Sequence, residues 1–217
     1  MDKNNPSAIF PILLWLLVSG IIMAAFQAAA EKTGAFTDVD TAAAGAASAL
    51  LIPAYVLMLR RWKLPAYPIE RKRPLSRGPW LLAAGGAGAV LSLLYGWLTA
   101  KLHLSEYFTD DVQQHFYSAP FWQQLIVLCM LTPVCEELLF RGLVFGSMRR
   151  KISGWKAAVF TSVLFSVLHG SPIQMLYAFP MGLVLQAFLH MEGGLEAPIL
   201  LHICANLASV LTEYILR

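Results

Sequence analysis

The stretch TPVCEELLFRGLVFG, residues 132–146, decides how this chain is read. Glu136, Glu137 and Arg141 stand inside an apolar run from Phe121 to Met148, long enough to be a bilayer-crossing helix. A charged side chain near the centre of a bilayer costs about 2.5–3.5 kcal/mol on insertion scales, so such residues face a bundle interior or a wet cavity. Helical spacing divides the three. Glu137 and Arg141 are i and i+4 with the acid first, the favourable order for an ion pair on one helix face. Glu136 lies about 100° further around the helix, and its own i+4 position is Phe140. The spacing predicts an internal Glu137–Arg141 pair and a second carboxylate, Glu136, whose partners come from other helices.

The rest of the chain supports a membrane setting. Of its 217 residues 58% are hydrophobic and 13% charged, against roughly 45–50% and about 25% in soluble domains. Seven apolar runs read as spans: Ala8 to Ala30, Thr41 to Leu59, Trp80 to Ala100, Phe121 to Met148, Trp155 to His169, Ile173 to Leu189 and Ala197 to Leu216. The expected fold is all-α, a polytopic transmembrane bundle of about seven helices (six to eight), with the site in the C-terminal four. The Phe121 to Met148 run would be about 42 Å long as a straight helix, more than an upright crossing needs, and Pro133 permits a bend. The first run exceeds the roughly 7–15 apolar residues of a signal peptide, so it reads as a retained span rather than a leader. The whole chain, 1–217, reads as one integral-membrane domain, with accessory helices over about 8–100 and a core over about 121–216. The basic loop from Arg60 to Arg77, with Pro65, Pro68 and Pro74, is the one candidate linker, and it divides two N-terminal helices from the rest.

Charge placement sets an orientation. Arg60, Arg61, Lys63, Arg71, Lys72, Arg73 and Arg77 fill the second connection, and Arg149, Arg150, Lys151 and Lys156 surround the fourth. By the positive-inside rule both face the cytoplasm, as does the N-terminus. Glu31, Asp38 and Asp40, then Glu106, Asp110 and Asp111, mark the opposite side. The basic charge thus serves membrane orientation and indicates no nucleic-acid partner. TAAAGAASA and AAGGAGAV, in the second and third runs, read as surfaces for close helix packing. Cys129, Cys135 and Cys204 lie in apolar runs at no framework spacing and read as buried thiols.

Further polar residues interrupt the C-terminal runs: Phe165 with His169, His202 with Asn206, and Gln186 with His190 are each four apart. His103, His115 and His190 fall at loop edges. Glu136 lies thirteen residues before Arg149 and His169 thirteen after Lys156, so the two reach one layer about 20 Å deep. For His202 to join them, residues 190–198 must dip into the bundle, which non-helical backbone does only where shielded from lipid. A carboxylate, two histidines and an asparagine around a wet pocket suit peptide hydrolysis, in which a base activates water and donors hold the oxyanion. Histidine and carboxylate are also zinc ligands, so Glu136, His169 and His202 are the set if a metal is present. No His-Glu-x-x-His helix and no nucleophile-elbow serine occurs. Cys135 beside Glu136 reads as a core residue. Two other classes remain open: a non-enzymatic membrane scaffold or immunity factor, and an ion-coupled transporter relaying protons through Glu136 and His169. The lack of a visible inverted repeat ranks the transporter last.

EELLFR, FSVLH and HICAN (Glu136, Glu137, Arg141; Phe165, His169; His202, Asn206) together resemble the ordered motifs of the CPBP intramembrane proteases. That family includes type 2 CAAX prenyl endopeptidases and bacteriocin-processing or immunity (Abi-like) proteins. The resemblance covers Phe121 onward. It implies an intramembrane endopeptidase acting on a membrane-associated, sometimes lipidated, peptide or protein, with a site opening toward the cytoplasm. Glu136 would activate water with help from His169, His202 and Asn206 would stabilise the oxyanion, and Glu137, Arg141 and Phe165 would support the site. No cofactor is required on this reading, zinc being the alternative. Short loops and small size suit a multi-pass protein of a bacterial cell membrane.

Overall fold

The computed structural model describes residues 7–33, 38–64, 74–104 and 116–216. Pro65, Pro68, Arg71, Lys72, Arg73, Glu106, Asp110, Asp111 and His115 lie outside them. Three helices come first: α1 (Ile9–Thr33), α2 (Val39–Trp62) and α3 (Arg77–Lys101). Asp38 caps α2, its carboxylate accepting the Thr41 N–H, and Lys63 in the left-handed region ends it. The fourth helix, α4, runs on through five consecutive segments: Phe121–Ile126, a π-helical Val127–Leu131, Thr132–Glu137, a second π-helical Leu138–Val144, and Phe145–Met148. α5 (Gly154–Val167), α6 (Pro172–Glu192) and α7 (Glu196–Leu216) follow.

Among the described residues five helices, α1, α2, α3, α6 and α7, are long and apolar enough to cross a membrane uninterrupted. α4 is apolar but divided by its π-turns, and α5 has only 14 residues. Large apolar side chains point outward along the bundle, among them Leu13, Leu17 and Ile21 on α1 and Leu82, Leu93 and Trp97 on α3. Water would not tolerate such a surface, and lipid favours it. This is an integral membrane protein built as a polytopic helical bundle.

The core forms around α4. Leu51 and Tyr55 of α2 bury with Cys135, Leu139, Phe140 and Leu143 of α4, and Phe165 of α5 and Ala178 of α6 join them. Cys135, 1% exposed, is a packing residue there. Tyr55 donates its hydroxyl to the Pro11 carbonyl at 3.1 Å, fastening α1 to α2. The glycine-rich runs work as packing surfaces. A Cβ at Gly88 would stand 2.0 Å from the Leu201 carbonyl oxygen, and one at Gly45 would stand 2.8 Å from Val127 Cγ2. With no Cβ, α3 reaches the backbone of α7 and α2 reaches α4.

Both basic connections meet at one end, where Arg150 donates to the Lys63 carbonyl at 2.7 Å and Arg77 pairs with Glu196 at 2.8 Å. At the other end Gln123 donates to Asp38 at 3.3 Å. The turn between α6 and α7 does enter the bundle. Gly193 in the left-handed region ends α6, Leu195 packs over Gly142, and Glu192 is buried. His202, six residues into α7, stands at the level of Glu136.

Candidate active site

Arg141 gathers four helices. Its guanidinium donates to Glu137 Oε1 on its own helix at 3.1 Å and to the Gly182 carbonyl of α6 at 3.3 Å, and it lies 4.4 Å over the Phe165 ring of α5. α7 enters through His202, whose Nδ1 is 2.9 Å from the same Glu137 oxygen. The Glu137 and Arg141 side chains are 0% and 1% exposed, so water screens neither charge. A fully buried pair persists only when hydrogen bonds and a second dipole support it. The Gly182 carbonyl, the Phe165 face and His202 provide that support.

This arrangement revises the expected division of labour. Glu137 serves Arg141 as anticipated, but it also holds His202. An ionised carboxylate only accepts, so His202 Nδ1 carries the hydrogen and Nε2 is the edge turned toward Glu136. Nε2 lies 3.7 Å from Glu136 Oε2. That is beyond a direct hydrogen bond but close enough for both atoms to touch one water. Glu136 is 18% exposed, the one carboxylate of the pair open to a ligand.

His169 and Asn206 are placed by a different rule. α5 ends at Val167, and the His169 N–H turns to the Ser166 carbonyl, leaving the Phe165 carbonyl without a backbone donor. His169 Nδ1–H takes it at 2.7 Å, while its ring stands edge-on to Phe165. Its Nε2 is left as an acceptor. Asn206 meets the same need on α4. In the first π-turn the Thr132 N–H bonds the Val127 carbonyl, and Pro133 has no N–H, so the Leu128 carbonyl has no helical donor. Asn206 Nδ2 donates to it at 2.8 Å. Among the described residues neither His169 nor Asn206 hydrogen-bonds Glu136; His169 and His202 instead share the Phe165 ring as a neighbour.

The alternative metal set, Glu136, His169 and His202, does not fit a metal as the side chains stand. Among the described residues no three His, Cys, Asp or Glu side chains are grouped closely enough to hold a metal ion.

Residues 118–208 match the family described as "Type II CAAX prenyl endopeptidase Rce1-like". An Escherichia coli protein described as "Uncharacterized 24.3 kDa protein" is 30% identical over 163 residues, covering 71% of this chain and 72% of that one. The chain belongs to the type II CAAX prenyl endopeptidase Rce1-like family. A second relative, the "Putative membrane peptidase YdiL" of Bacillus subtilis (strain 168), is 26% identical over 89 residues, covering 41% of this chain and 36% of that one. No solved structure matches. At family level this is a CAAX-type intramembrane protease. The Rce1-like segment contains Glu136, Glu137, Arg141, Phe165, His169, His202 and Asn206. Three features of it escaped the sequence reading: the Glu137–His202 bond and the roles of the Gly182 and Leu128 carbonyls. Carbonyls have no sequence signal, but Pro133 marks a freed one four to five residues upstream.

Proposed function

We propose that this Rce1-like protein hydrolyses a peptide bond in a membrane-associated peptide or protein, of CAAX or bacteriocin-precursor type, with Glu136 as the base that activates water. The observation that carries this reading is the chain from Glu137 Oε1 through His202 to Glu136. A buried carboxylate fixes the tautomer of a histidine, and the histidine turns its other nitrogen on a half-open carboxylate, the logic of an acid–base pair with an orienting group.

In the reaction, water sits between Glu136 and the acceptor Nε2 of His169. Glu136 takes its proton as the oxygen attacks the substrate carbonyl, and the C–O bond that forms places negative charge on the carbonyl oxygen. The second amide N–H of Asn206 and the Nε2 edge of His202, which carries a second proton when the ring is an imidazolium, are the donors for that oxyanion. Collapse breaks the C–N bond, and the proton held by Glu136 passes to the leaving amine. Atoms and charge balance without a cofactor. Arg141 stays bound to Glu137 throughout, keeping His202 oriented. The same reading sets the protein in a bacterial cell membrane with its N-terminus and basic connections cytoplasmic.

The test is cleavage of a membrane-anchored peptide by the full chain in detergent, with products identified by mass and metal content measured on the same sample. Wild type should cut and Glu136→Gln should not. Equal cleavage by both would overturn the assignment of the base. A biological effect that survives Glu136→Gln would favour a scaffold or immunity role, and activity lost to a chelator and restored by zinc would overturn the metal-free step.

A further inference from the structure

A second feature lies away from Glu136, at the basic end of the bundle. A groove of about 390 Å³ opens between the end of α4, the start of α5 and the last turns of α6. Phe145, Trp155 and Ala158 make its apolar walls, and three polar residues, Arg149, Gln186 and His190, also line it. Gln186 is 6% exposed. Among the described residues no hydrogen bond or ion pair engages the side chains of Arg149, Gln186 or His190. A buried amide normally has a partner, since leaving it unmatched carries a desolvation penalty. The Gln186 side chain is buried at the wall of an apolar groove with its amide unpaired, which points to a ligand.

We infer that this groove binds one anionic phospholipid. The polar groups are layered along the membrane normal. Gln186 and His190 are i and i+4 on α6, about 6 Å apart along the axis, with His190 nearer the basic end beside Arg149. A phospholipid carries its ester groups at roughly that depth below its phosphate. The Gln186 amide donates to an ester carbonyl, Arg149 takes the phosphate, and the acyl chain lies along Phe145 and Ala158. Trp155, 68% exposed, sits where indole rings collect at a membrane interface, with the Lys156 ammonium 5.7 Å over its ring. Lys151 and Lys156 add positive charge beside the mouth, which selects an anionic headgroup over a zwitterionic one.

The test is lipid retention by the full chain in nanodiscs of equal phosphatidylglycerol and phosphatidylcholine, read by native mass spectrometry. Wild type should keep one phosphatidylglycerol in clear preference to phosphatidylcholine. Arg149→Gln should reduce that preference about fivefold, and Gln186→Leu should lower retention of both lipids about threefold without altering their ratio. Equal retention of the two lipids by wild type would overturn the inference, as would displacement of the lipid by millimolar inorganic phosphate alone. A second readout needs neither of these variants. Phosphatidylglycerol brominated on its chain should quench the fluorescence component that Trp155→Phe removes, and absence of that quenching would place no lipid in the groove.

Discussion

His202 Nδ1 lies 2.9 Å from Glu137 Oε1, the same oxygen that receives Arg141 at 3.1 Å. One carboxylate oxygen thereby ties α7 to the ion pair of α4 and sets which edge of the imidazole faces Glu136. Replacing Glu137 with Gln keeps the shape but allows the amide to donate, freeing His202 to take the other tautomer. We expect kcat for peptide cleavage to fall about 10²- to 10⁴-fold with KM little changed. A variant with wild-type kcat would show that His202 needs no orienting group.

Arg141 carries the structural side of the same cluster. Arg141→Met should destabilise the protein by about 3–5 kcal/mol, because it strands the Glu137 charge in a site without water. Arg141→Lys should recover only part of that, since an ammonium cannot reach the Gly182 carbonyl and lie flat on Phe165 at once. Reversible unfolding in mixed micelles measures both. Equal stability of Arg141→Met and wild type would contradict the cluster as described.

The α3–α7 contact can be tested by two glycines two residues apart. Gly88→Ala forces a methyl toward the Leu201 carbonyl, pushes α7 outward and shifts the next residue, His202. It should lower stability by about 1–3 kcal/mol and reduce activity with it. Gly86→Ala meets nothing within 4 Å and should be neutral or slightly stabilising. The expected result is a large difference in thermal midpoint between these two substitutions, and equal midpoints would refute the close approach.

Asn206 and Pro133 should be energetically coupled. Asn206→Ala leaves the Leu128 carbonyl buried without its donor, a loss of about 1–3 kcal/mol. Pro133→Ala restores an N–H in the same turn, so the double variant should regain about 1 kcal/mol of that loss. Additive effects in the double-mutant cycle would separate the two residues. In the Arg141, Gly88 and Pro133 single variants cleavage should track stability, whereas Asn206→Ala, alone or with Pro133→Ala, should lose more because it also removes the proposed oxyanion donor.

Much of the architecture was legible because burial in lipid leaves few alternatives. All seven apolar runs are helices, within a few residues of the expected ends, and the small-residue stretches of α2 and α3 do admit close neighbours. The Glu137–Arg141 pair was legible from i,i+4 spacing alone. His169 and Asn206 were legible as polar residues inside apolar helices. Their hydrogen bonds were not, because those depend on which backbone carbonyls the helix end at Val167 and the π-turn at Val127–Leu131 release. A π-turn has no composition of its own, and only Pro133 hinted at one.

The sequence by itself determined an integral-membrane helical bundle and the pairing of Glu137 with Arg141, since apolar length and helical period are local properties of a chain. The tertiary structure alone decided that Glu137 also holds His202, because residues 65 apart in sequence meet only through the inward turn at 193–195 and the glycine contact of α3 with α7. It likewise decided which histidine nitrogen faces Glu136. A tautomer is chosen by the partner across the interface, and that partner belongs to another helix.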